Sequence, residues 1–366
     1  MSNESYIPIL KIKRAELTAI SQLDANIKGK IIPLFEIEPV PLDPDTDEPD
    51  KTYNELLSGF DKKLSSSCSG ISFIYLDGLW IDEKFIDAGD EYPIENAINQ
   101  LRAIGMRVVP VSSPRRSQNY LSAIDRLVKD EVCLRLNTID LANPQLISSY
   151  ITRLGLPLSS IDVVIDLEDK YSEYGYSSGN DFTLAKGLIN NLNSLNSFRN
   201  VSLAGGSFPV DLSNIPIGVF SQNRYEWILW QQLHKSGELL RSVTYSDYGV
   251  QHPNFTRLAT RFPSVTASIR YTGNNDFWVF RGKVANQFGY EQYGAHCQAI
   301  VAHAEYSQPQ FSVGDGEIDT YAKTYAQYLS NPTGNYKFGS PEVWRRIGQN
   351  HHITKVVDQL ATLYGL

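Results

Sequence analysis

Acidic side chains occur in this chain where short apolar runs end, and the densest group closes a run near the middle of the sequence. Asp166 and Glu168 are two carboxylates close together at the end of Ile161–Glu168. Such neighbours need a cation or basic groups to compensate their charge. We therefore predict either that they hold a divalent cation such as Mg²⁺, or that acids at this end act as a general acid and base with different pKa values.

Basic and hydroxyl side chains, with further acids, end the other apolar runs. The residues in this position are Lys11, Glu36, Asp77, Ser112, Arg135, Ser207 and Asp247. Carboxylates can hold a cation while lysine and arginine neutralise anionic oxygens, so the set would suit a phosphate-containing ligand. We assign catalytic roles to Glu36, Asp166 and Asp247, and ligand binding to Lys11, Asp77, Arg135 and Ser207. The alternative is a structural salt-bridge network built from the same groups.

The runs themselves predict the fold. Eight have the length of a strand: Tyr6–Ile12, Ile31–Ile37, Ile71–Asp77, Arg107–Ser112, Val132–Leu136, Ile161–Glu168, Val201–Gly206 and Ser242–Asp247. Segments with helical spacing separate them. Strand–helix alternation over roughly 250 residues is typical of a closed (β/α)8 barrel, in which the strand ends meet at one mouth.

The alternation stops after Asp247. Ser264–Tyr271 and Phe277–Arg281 flank a loop with the Gly-Asn-Asn-Asp composition of a hairpin turn, and the rest of the chain is mostly helical. We therefore expect a barrel core over residues 1–250. Residues 251–366 should form a hairpin plus helices that complete and cap the barrel.

Two residue pairs in this C-terminal part could also do chemistry. Arg270 and Tyr271 join a cation to an aromatic ring, which could bind a phosphate and stack on a base or sugar. His351 and His352 are adjacent and would point in different directions. We therefore expect one of them to reach the mouth as an acid, a base or a hydrogen-bond donor to phosphate. We assign His351 as catalytic and Arg270, Tyr271 and His352 as ligand-binding. Packing or helix capping is the alternative.

Composition excludes several classes of protein. The net charge of −8 and a pI of about 5.3 give no general basic field, so nucleic acid is not indicated by charge, although Ser112–Arg116 could hold an anion locally. Three scattered cysteines fit neither a disulfide framework nor a zinc site and predict a cytoplasmic protein. No apolar run approaches the roughly 20 residues of a membrane helix. Signatures of nucleotide-binding loops, lipases and zinc proteases are absent.

Several segments together resemble the bacteriophage beta protein family. They are the opening Tyr6-Ile7-Pro8-Ile9-Leu10-Lys11, the second strand Ile32-Pro33-Leu34-x-Glu36, the later segments Ser268–Thr272 and Gly289–Gln292, and the tail Trp344–Thr354. The resemblance spans nearly the whole chain, and the tail is its most specific part. It implies a phage or antiphage setting and implies no particular reaction.

Two functions remain open from the sequence. In the first, the protein binds a phosphate-containing ligand, a nucleotide or nucleic acid, at the barrel mouth and as an enzyme would hydrolyse it. The strand-end acids beside Lys11, Arg135 and Arg270 favour this function. In the second, it is a non-catalytic recognition or partner subunit of an antiphage module that binds a phage protein. The acidic net charge and the absence of a known catalytic signature favour the second.

Overall fold

Eight parallel strands close into a barrel in the computed structural model, which describes residues 5–255, 260 and 264–365. In chain order the strands of this described part are β1 (Ile7–Lys11), β2 (Leu34–Glu36), β3 (Ile74–Asp77), β4 (Val108–Ser112), β5 (Val132–Asn137), β6 (Ile161–Asp166), β7 (Asn200–Ala204), β8 (Gly218–Asn223), β9 (Thr244–Asp247), β10 (Thr266–Thr272) and β11 (Asp276–Val284). The barrel runs from β1 to β7 and then β9, which pairs with β1. The predicted (β/α)8 barrel is confirmed.

Helices connect the strands and cover the outside of the barrel. They are α1 (Arg14–Ser21), α2 (Ala25–Lys28), α3 (Tyr53–Leu56), α4 (Phe60–Ser67), α5 (Pro93–Ala103), α6 (Gln118–Leu127), α7 (Thr138–Leu141), α8 (Pro144–Leu154), α9 (Glu173–Ser178), α10 (Asn180–Asn190), α11 (Tyr225–Ser236), α12 (Ala285–Phe288), α13 (Gln292–Val301), α14 (Val313–Ser330) and α15 (Pro341–Tyr364). Side-chain caps start several of them. Ser117 accepts from the Tyr120 amide at the start of α6, for example, which satisfies an otherwise unpaired donor.

Each barrel strand buries both faces, and the two faces belong to different cores. The barrel interior contains Ile7, Ile9, Leu34, Tyr75, Val111, Val164 and Tyr248. The layer between strands and helices contains Tyr6, Leu10, Phe35, Leu76, Leu134 and Tyr245. Successive side chains of a strand point to opposite faces, so an offset of one residue decides which strand-end residue reaches the mouth.

A three-stranded antiparallel sheet stands beside the barrel. β10 and β11 form the predicted hairpin, and β8 pairs with β11 on its other side. The sequence analysis predicted no strand at β8. Its side chains are mostly exposed, so no apolar alternation marks it, and the pairing with β11 defines it instead.

The last helix, α15, packs both in the layer around the barrel and in a further core beside the three-stranded sheet. Ile353 and Leu360 of α15 pack in the layer around the barrel, while Trp344 and Ile347 pack with β10 and α13. Mostly helical structure is expected from the sequence in this part of the chain, and α15 forms one continuous helix over Pro341–Tyr364. Its middle turns bury Gln349, Asn350, His351 and His352. These polar residues are buried because they have hydrogen-bond partners, which a hydrophobic pattern does not reveal.

Candidate functional site

Arg135 lies at the centre of the barrel mouth and binds carboxylates from three other strands. Its Nη1 donates to Glu36 Oε1 and to Asp77 Oδ2, each at 2.8 Å, and its Nε donates to Asp166 Oδ2 at 2.8 Å. Nη2 donates to the Tyr248 hydroxyl at 2.6 Å. Alternation along the strands turns all five side chains inward. The structure therefore brings together four of the residues expected at the mouth.

Burial sets the electrostatics of this cluster. Glu36 is 0% exposed, and burial raises the pKa of its carboxyl against the lowering effect of Arg135. Its second oxygen, Oε2, has no hydrogen-bond partner among the described residues. Arg116 Nη2 binds the free side of Asp77 at 2.8 Å, and the Tyr248 hydroxyl donates to Asp166 Oδ2 at 2.5 Å. Two guanidiniums therefore compensate three buried carboxylates.

A cavity of about 310 Å³ opens above this cluster. Its charged lining consists of Arg115, Arg116, Arg135, Asp140, Asp166 and Glu168. The Arg115 side chain is 53% exposed, and its Nε lies 3.9 Å from Asp140 Oδ1, too far for a hydrogen bond. Burial raises the pKa of Asp140, and Oδ1 of this carboxyl has no hydrogen-bond partner in the described structure. The cavity thus offers the exposed guanidinium of Arg115 beside Asp140, an acid whose pKa is raised by burial.

Glu168 stands at the edge of this cavity in an unusual backbone conformation. Its φ of 54° lies in the left-handed region that non-glycine residues rarely adopt. The Glu168 amide donates to Asp166 Oδ1 at 2.9 Å, and Lys170 Nζ lies 2.6 Å from Glu168 Oε2. Both carboxylates predicted to hold Mg²⁺ thus already have basic partners. Within residues 5–255, 260 and 264–365, no group of three His, Cys, Asp or Glu side chains is placed to hold a metal ion.

Lys11 ends β1 beneath the segment that follows β9. Its Nζ donates to the carbonyl oxygens of Asn254 at 2.9 Å and His252 at 3.3 Å, and lies 5.9 Å from the centre of the Phe255 ring. Burial lowers the pKa of Lys11, and the charge of Glu36 opposes that effect. Lys11 therefore holds the segment around His252–Asn254 over one side of the mouth by hydrogen bonds.

Asp247 is buried between the barrel and α15 instead of at the mouth. Its Oδ2 accepts from the Tyr245 hydroxyl at 2.8 Å and lies 3.0 Å from His352 Nε2, and the Tyr6 hydroxyl donates to Oδ1. Burial alone would raise the pKa of Asp247, but His352 and these hydrogen bonds lower it to about 2. Because Tyr248 faces the mouth, its neighbour Asp247 must face outward. The expectation that Asp247 and His352 reach the mouth is wrong.

His351 points from α15 toward the core that this helix forms with β10 and α13. Its Nδ1 lies 2.8 Å from Asp315 Oδ2, and its Nε2 lies 2.8 Å from the carbonyl oxygen of Thr272. The ring of Tyr271 stacks on His351 with 4.0 Å between ring centres, and its hydroxyl donates to Asp315 Oδ1 at 2.9 Å. These partners bury both residues, so His351 does not reach the mouth as expected, and the Tyr271 ring is stacked on His351 instead of being open to a base or sugar.

The remaining candidates also lie apart from the central cluster. The Ser207 hydroxyl donates to Glu226 Oε2 at 2.5 Å, and the Ser112 hydroxyl contacts the Tyr150 hydroxyl at 2.7 Å. Arg270 Nη1 donates to the Val250 carbonyl at 2.6 Å and lines a different cavity. These three residues do not join Arg135.

Comparison with known proteins identifies the family. The sequence model of a family described as Beta protein matches residues 6–358. The chain belongs to the Beta protein family. It is similar to Protein beta of Enterobacteria phage P4, with 22% identity over 368 residues that cover 97% of this chain and 94% of the phage protein. The resemblance expected from the sequence is confirmed.

Two solved structures are similar to this chain at low TM-scores. A GH138 enzyme targeting pectin rhamnogalacturonan II matches with a TM-score of 0.38 and 9% identity over 77% of this chain, which spans 37% of that protein. The YdjI aldolase from Escherichia coli K12 matches with a TM-score of 0.36 and 8% identity, covering 99% of this chain and 92% of the aldolase. The chemistry of this member of the Beta protein family has to be argued from its own residues.

Two residues of this Beta protein family member contribute to the mouth although the sequence analysis did not select them. Tyr248 follows the last residue of β9, and a two-residue alternation counted from Ser246 would have identified it. Asp140 stands at the third position of α7, where it completes a capping box with Asn137, so its sequence signal is that of a helix start.

Among the described residues, no helix is both long and apolar enough to cross a membrane.

Proposed function

We propose that this protein binds a phosphate-containing ligand, such as a nucleotide or a nucleic-acid end, in the cavity above Arg135. The observation that carries the proposal is the state of Arg115. Its guanidinium lines the cavity, is more than half exposed and, among the described residues, has only a distant carboxylate partner. A phosphate offers the short, paired contacts that such a guanidinium favours.

The other two arginines that line the cavity, Arg116 and Arg135, would have different roles. Arg135 already binds three carboxylates and a tyrosine hydroxyl, so its main effect is to hold the acids in place. Arg116 binds Asp77 with one nitrogen and also lines the cavity. We therefore assign direct phosphate contact to Arg115 and Arg116. Arg135 keeps the floor of the cavity rigid.

We extend the proposal to hydrolysis, for which the cavity holds an acid and a base. Water would attack phosphorus while Glu168 takes its proton, and the bond from phosphorus to the leaving oxygen would break as Asp140 gives that oxygen a proton. The raised pKa of Asp140 suits the acid role. Asp166 would act as a positioning residue, because it accepts the Glu168 amide hydrogen.

A recognition subunit of an antiphage module is the second candidate. It is favoured by the near-complete pairing of Arg135, Glu36, Asp77 and Asp166, which also describes a purely structural network. In this case the partner would be a phage protein. For either function we propose a cytoplasmic setting, since Cys68, Cys133 and Cys297 are free and buried.

The test is isothermal titration of the purified chain with ATP and with a 5′-phosphorylated oligonucleotide, with and without Mg²⁺. Arg115→Gln should weaken binding about tenfold or more, as expected for loss of a hydrogen bond to a charged group. The matched control is Arg126→Gln, since Arg126 is also an exposed arginine paired with a carboxylate, on α6. Equal binding by the two variants would overturn the mouth as the site.

Phosphate release then separates an enzyme from a binding protein. Asp140→Asn should retain ligand binding and abolish release, because the leaving oxygen would no longer receive a proton. Release that is unchanged in this variant would exclude Asp140 as the acid. If the wild-type protein binds a ligand but releases no phosphate under any condition, binding stands and hydrolysis falls. No binding at all would direct the search to a protein partner.

A further inference from the structure

A second cavity, of about 390 Å³, lies between the three-stranded sheet and the start of α15. Three guanidiniums line it, one from each of β10, β11 and α15. These residues are Arg270, Arg281 and Arg345. Hydroxyl groups from Ser213, Ser264, Thr266 and Ser268 complete the polar lining. None of these residues belongs to the barrel-mouth cavity.

Several donors in this cavity are not used by the protein. Arg345 forms no hydrogen bond or ion pair with any residue that the structure describes. Arg281 donates from Nη1 to the Ile215 carbonyl, but its Nε is buried without a partner in the described chain. The Tyr293 hydroxyl also lines the cavity, and its proton has no acceptor among the described residues although the side chain is 0% exposed. Buried donors of this kind are costly unless a ligand or water receives them.

The charge around the cavity is mainly positive. Among the described residues that line it, Asp211 is the one acid, and it accepts hydrogen bonds from the amide and hydroxyl of Ser213. Glu16 is buried nearby and acts electrostatically on Arg345 and Arg270, without a hydrogen-bond partner in the described residues. Burial, and then the charge of Arg345, lower the pKa of Arg270 to about 9. The charge of Arg345 therefore disfavours the charged form of Arg270, and Glu16 opposes this effect.

We propose that this cavity is a second ligand site and binds a phosphate ester. A phosphate group carries enough charge to relieve the repulsion between Arg270 and Arg345, and its oxygens can accept from several guanidiniums at once. Serine and threonine hydroxyls can donate to the same oxygens. The volume lies within the usual range of about 300–1,000 Å³ for small-ligand pockets. A free nucleotide and the end of a nucleic-acid strand both supply this group.

The proposal is tested by titrating pyrophosphate, AMP and a 5′-phosphorylated single-stranded oligonucleotide into the full chain at low salt. Tryptophan fluorescence provides a local signal, because Trp344 lines the cavity. Arg345→Gln should weaken binding of at least one probe about tenfold or more. It should not unfold the protein, since Arg345 forms no hydrogen bond or ion pair with the described residues and its loss removes only its electrostatic effects on Glu16 and Arg270. Ser268→Asp, which adds a negative charge to the wall, should weaken the same probe.

The controls separate this site from the barrel mouth. Arg153→Gln removes an exposed arginine that pairs with Asp125 far from Arg345 in sequence, and it should leave affinity unchanged. Arg115→Gln should also leave the Arg345-dependent binding unchanged, whether or not the mouth binds a ligand of its own. AMP binding without strand binding would assign a free nucleotide, and the reverse would assign a strand end. No binding of any probe at millimolar concentration, or binding that Arg345→Gln leaves intact, would overturn the proposal.

Discussion

Arg135 and Glu36 form a buried ion pair, with 2.8 Å between Nη1 and Oε1, although they are 99 residues apart in the chain. Their strands, β5 and β2, are not neighbours in the barrel, so the pair spans the mouth. Asp77 on β3 and Asp166 on β6 bind the same guanidinium. The Arg135 side chain thus ties β5 and its neighbour β6 to β2 and β3, with which β5 shares no backbone hydrogen bonds.

Replacing Arg135 by Gln should destabilise the protein by about 3–5 kcal/mol, because Glu36, Asp77 and Asp166 would remain buried without their central counter-charge. The measurement is the free energy of unfolding in urea. Arg126→Gln is the control and should lower the free energy of unfolding by at most about 1 kcal/mol, since Arg126 forms its ion pair with Glu95 at the surface. Similar losses in the two variants would show that the mouth network contributes no special stability.

The sequence predicts the barrel well because its signal is local. Parallel strands covered on both faces are nearly continuous apolar runs, and each of the eight runs overlaps one observed barrel strand, six of them containing it in full. β8 gives no such signal, because its residues are mostly exposed and the strand is defined by its pairing with β11. Elements defined by a distant partner are not visible in a local pattern.

The candidate site is predicted less completely for a different reason. Glu36, Asp77, Arg135 and Asp166 were expected at the mouth and meet there. Asp247 was expected with them. An error of one residue in the predicted alternation of a strand turns a side chain from the inner face of the barrel to the outer face. The outward position of Asp247 next to His352 depends on where α15 packs. That long-range contact has no signature in either segment.

Asp247→Asn should lower the free energy of unfolding by about 2–4 kcal/mol and leave affinity for a mouth ligand unchanged. The carboxylate holds Tyr6, Tyr245 and His352 between the barrel and α15, so its loss removes charged hydrogen bonds in a buried layer. Arg115→Gln should do the opposite, with lower affinity and little change in stability. Urea unfolding and ligand titration of both variants give the comparison. A mouth affinity that follows Asp247 would restore the catalytic role expected from the sequence.

Glu226→Gln should make the stability of the protein less dependent on pH. Burial raises the pKa of Glu226 from its ordinary value of 4.5 to about 7, against the effects of Arg224 and Ser207. Between these two values the folded state holds a proton that the unfolded state has lost, so stability falls as the pH rises from about 4.5 to 7. The cost at pH 8 is on the order of 1–3 kcal/mol.

The measurement is the unfolding free energy at pH 5 and at pH 8 for the wild type and the variant. Gln carries no proton to lose, so the decrease between the two pH values should be smaller in the variant, while other groups contribute equally to both. Glu238→Gln changes an exposed carboxylate that pairs with Lys186 and should leave the decrease as it is in the wild type. A decrease of the same size in all three proteins would mean that Glu226 is ionised in the folded state.

Glu168→Gly should stabilise the fold by about 1 kcal/mol while it removes the base from the mouth. The φ of 54° is strained for glutamate and free for glycine, and the relief of strain outweighs the extra flexibility of the unfolded chain. Ser194→Gly is the matched control, since its φ of 58° is nearly the same and it lies outside the mouth cavity. Both variants should unfold at higher urea concentration, and only Glu168→Gly should lose phosphate release. Because Ser194 has nearly the same φ outside the mouth, the backbone angle alone does not assign a role to Glu168, and turnover decides it. A Glu168→Gly protein with full turnover would reduce Glu168 to a loop residue.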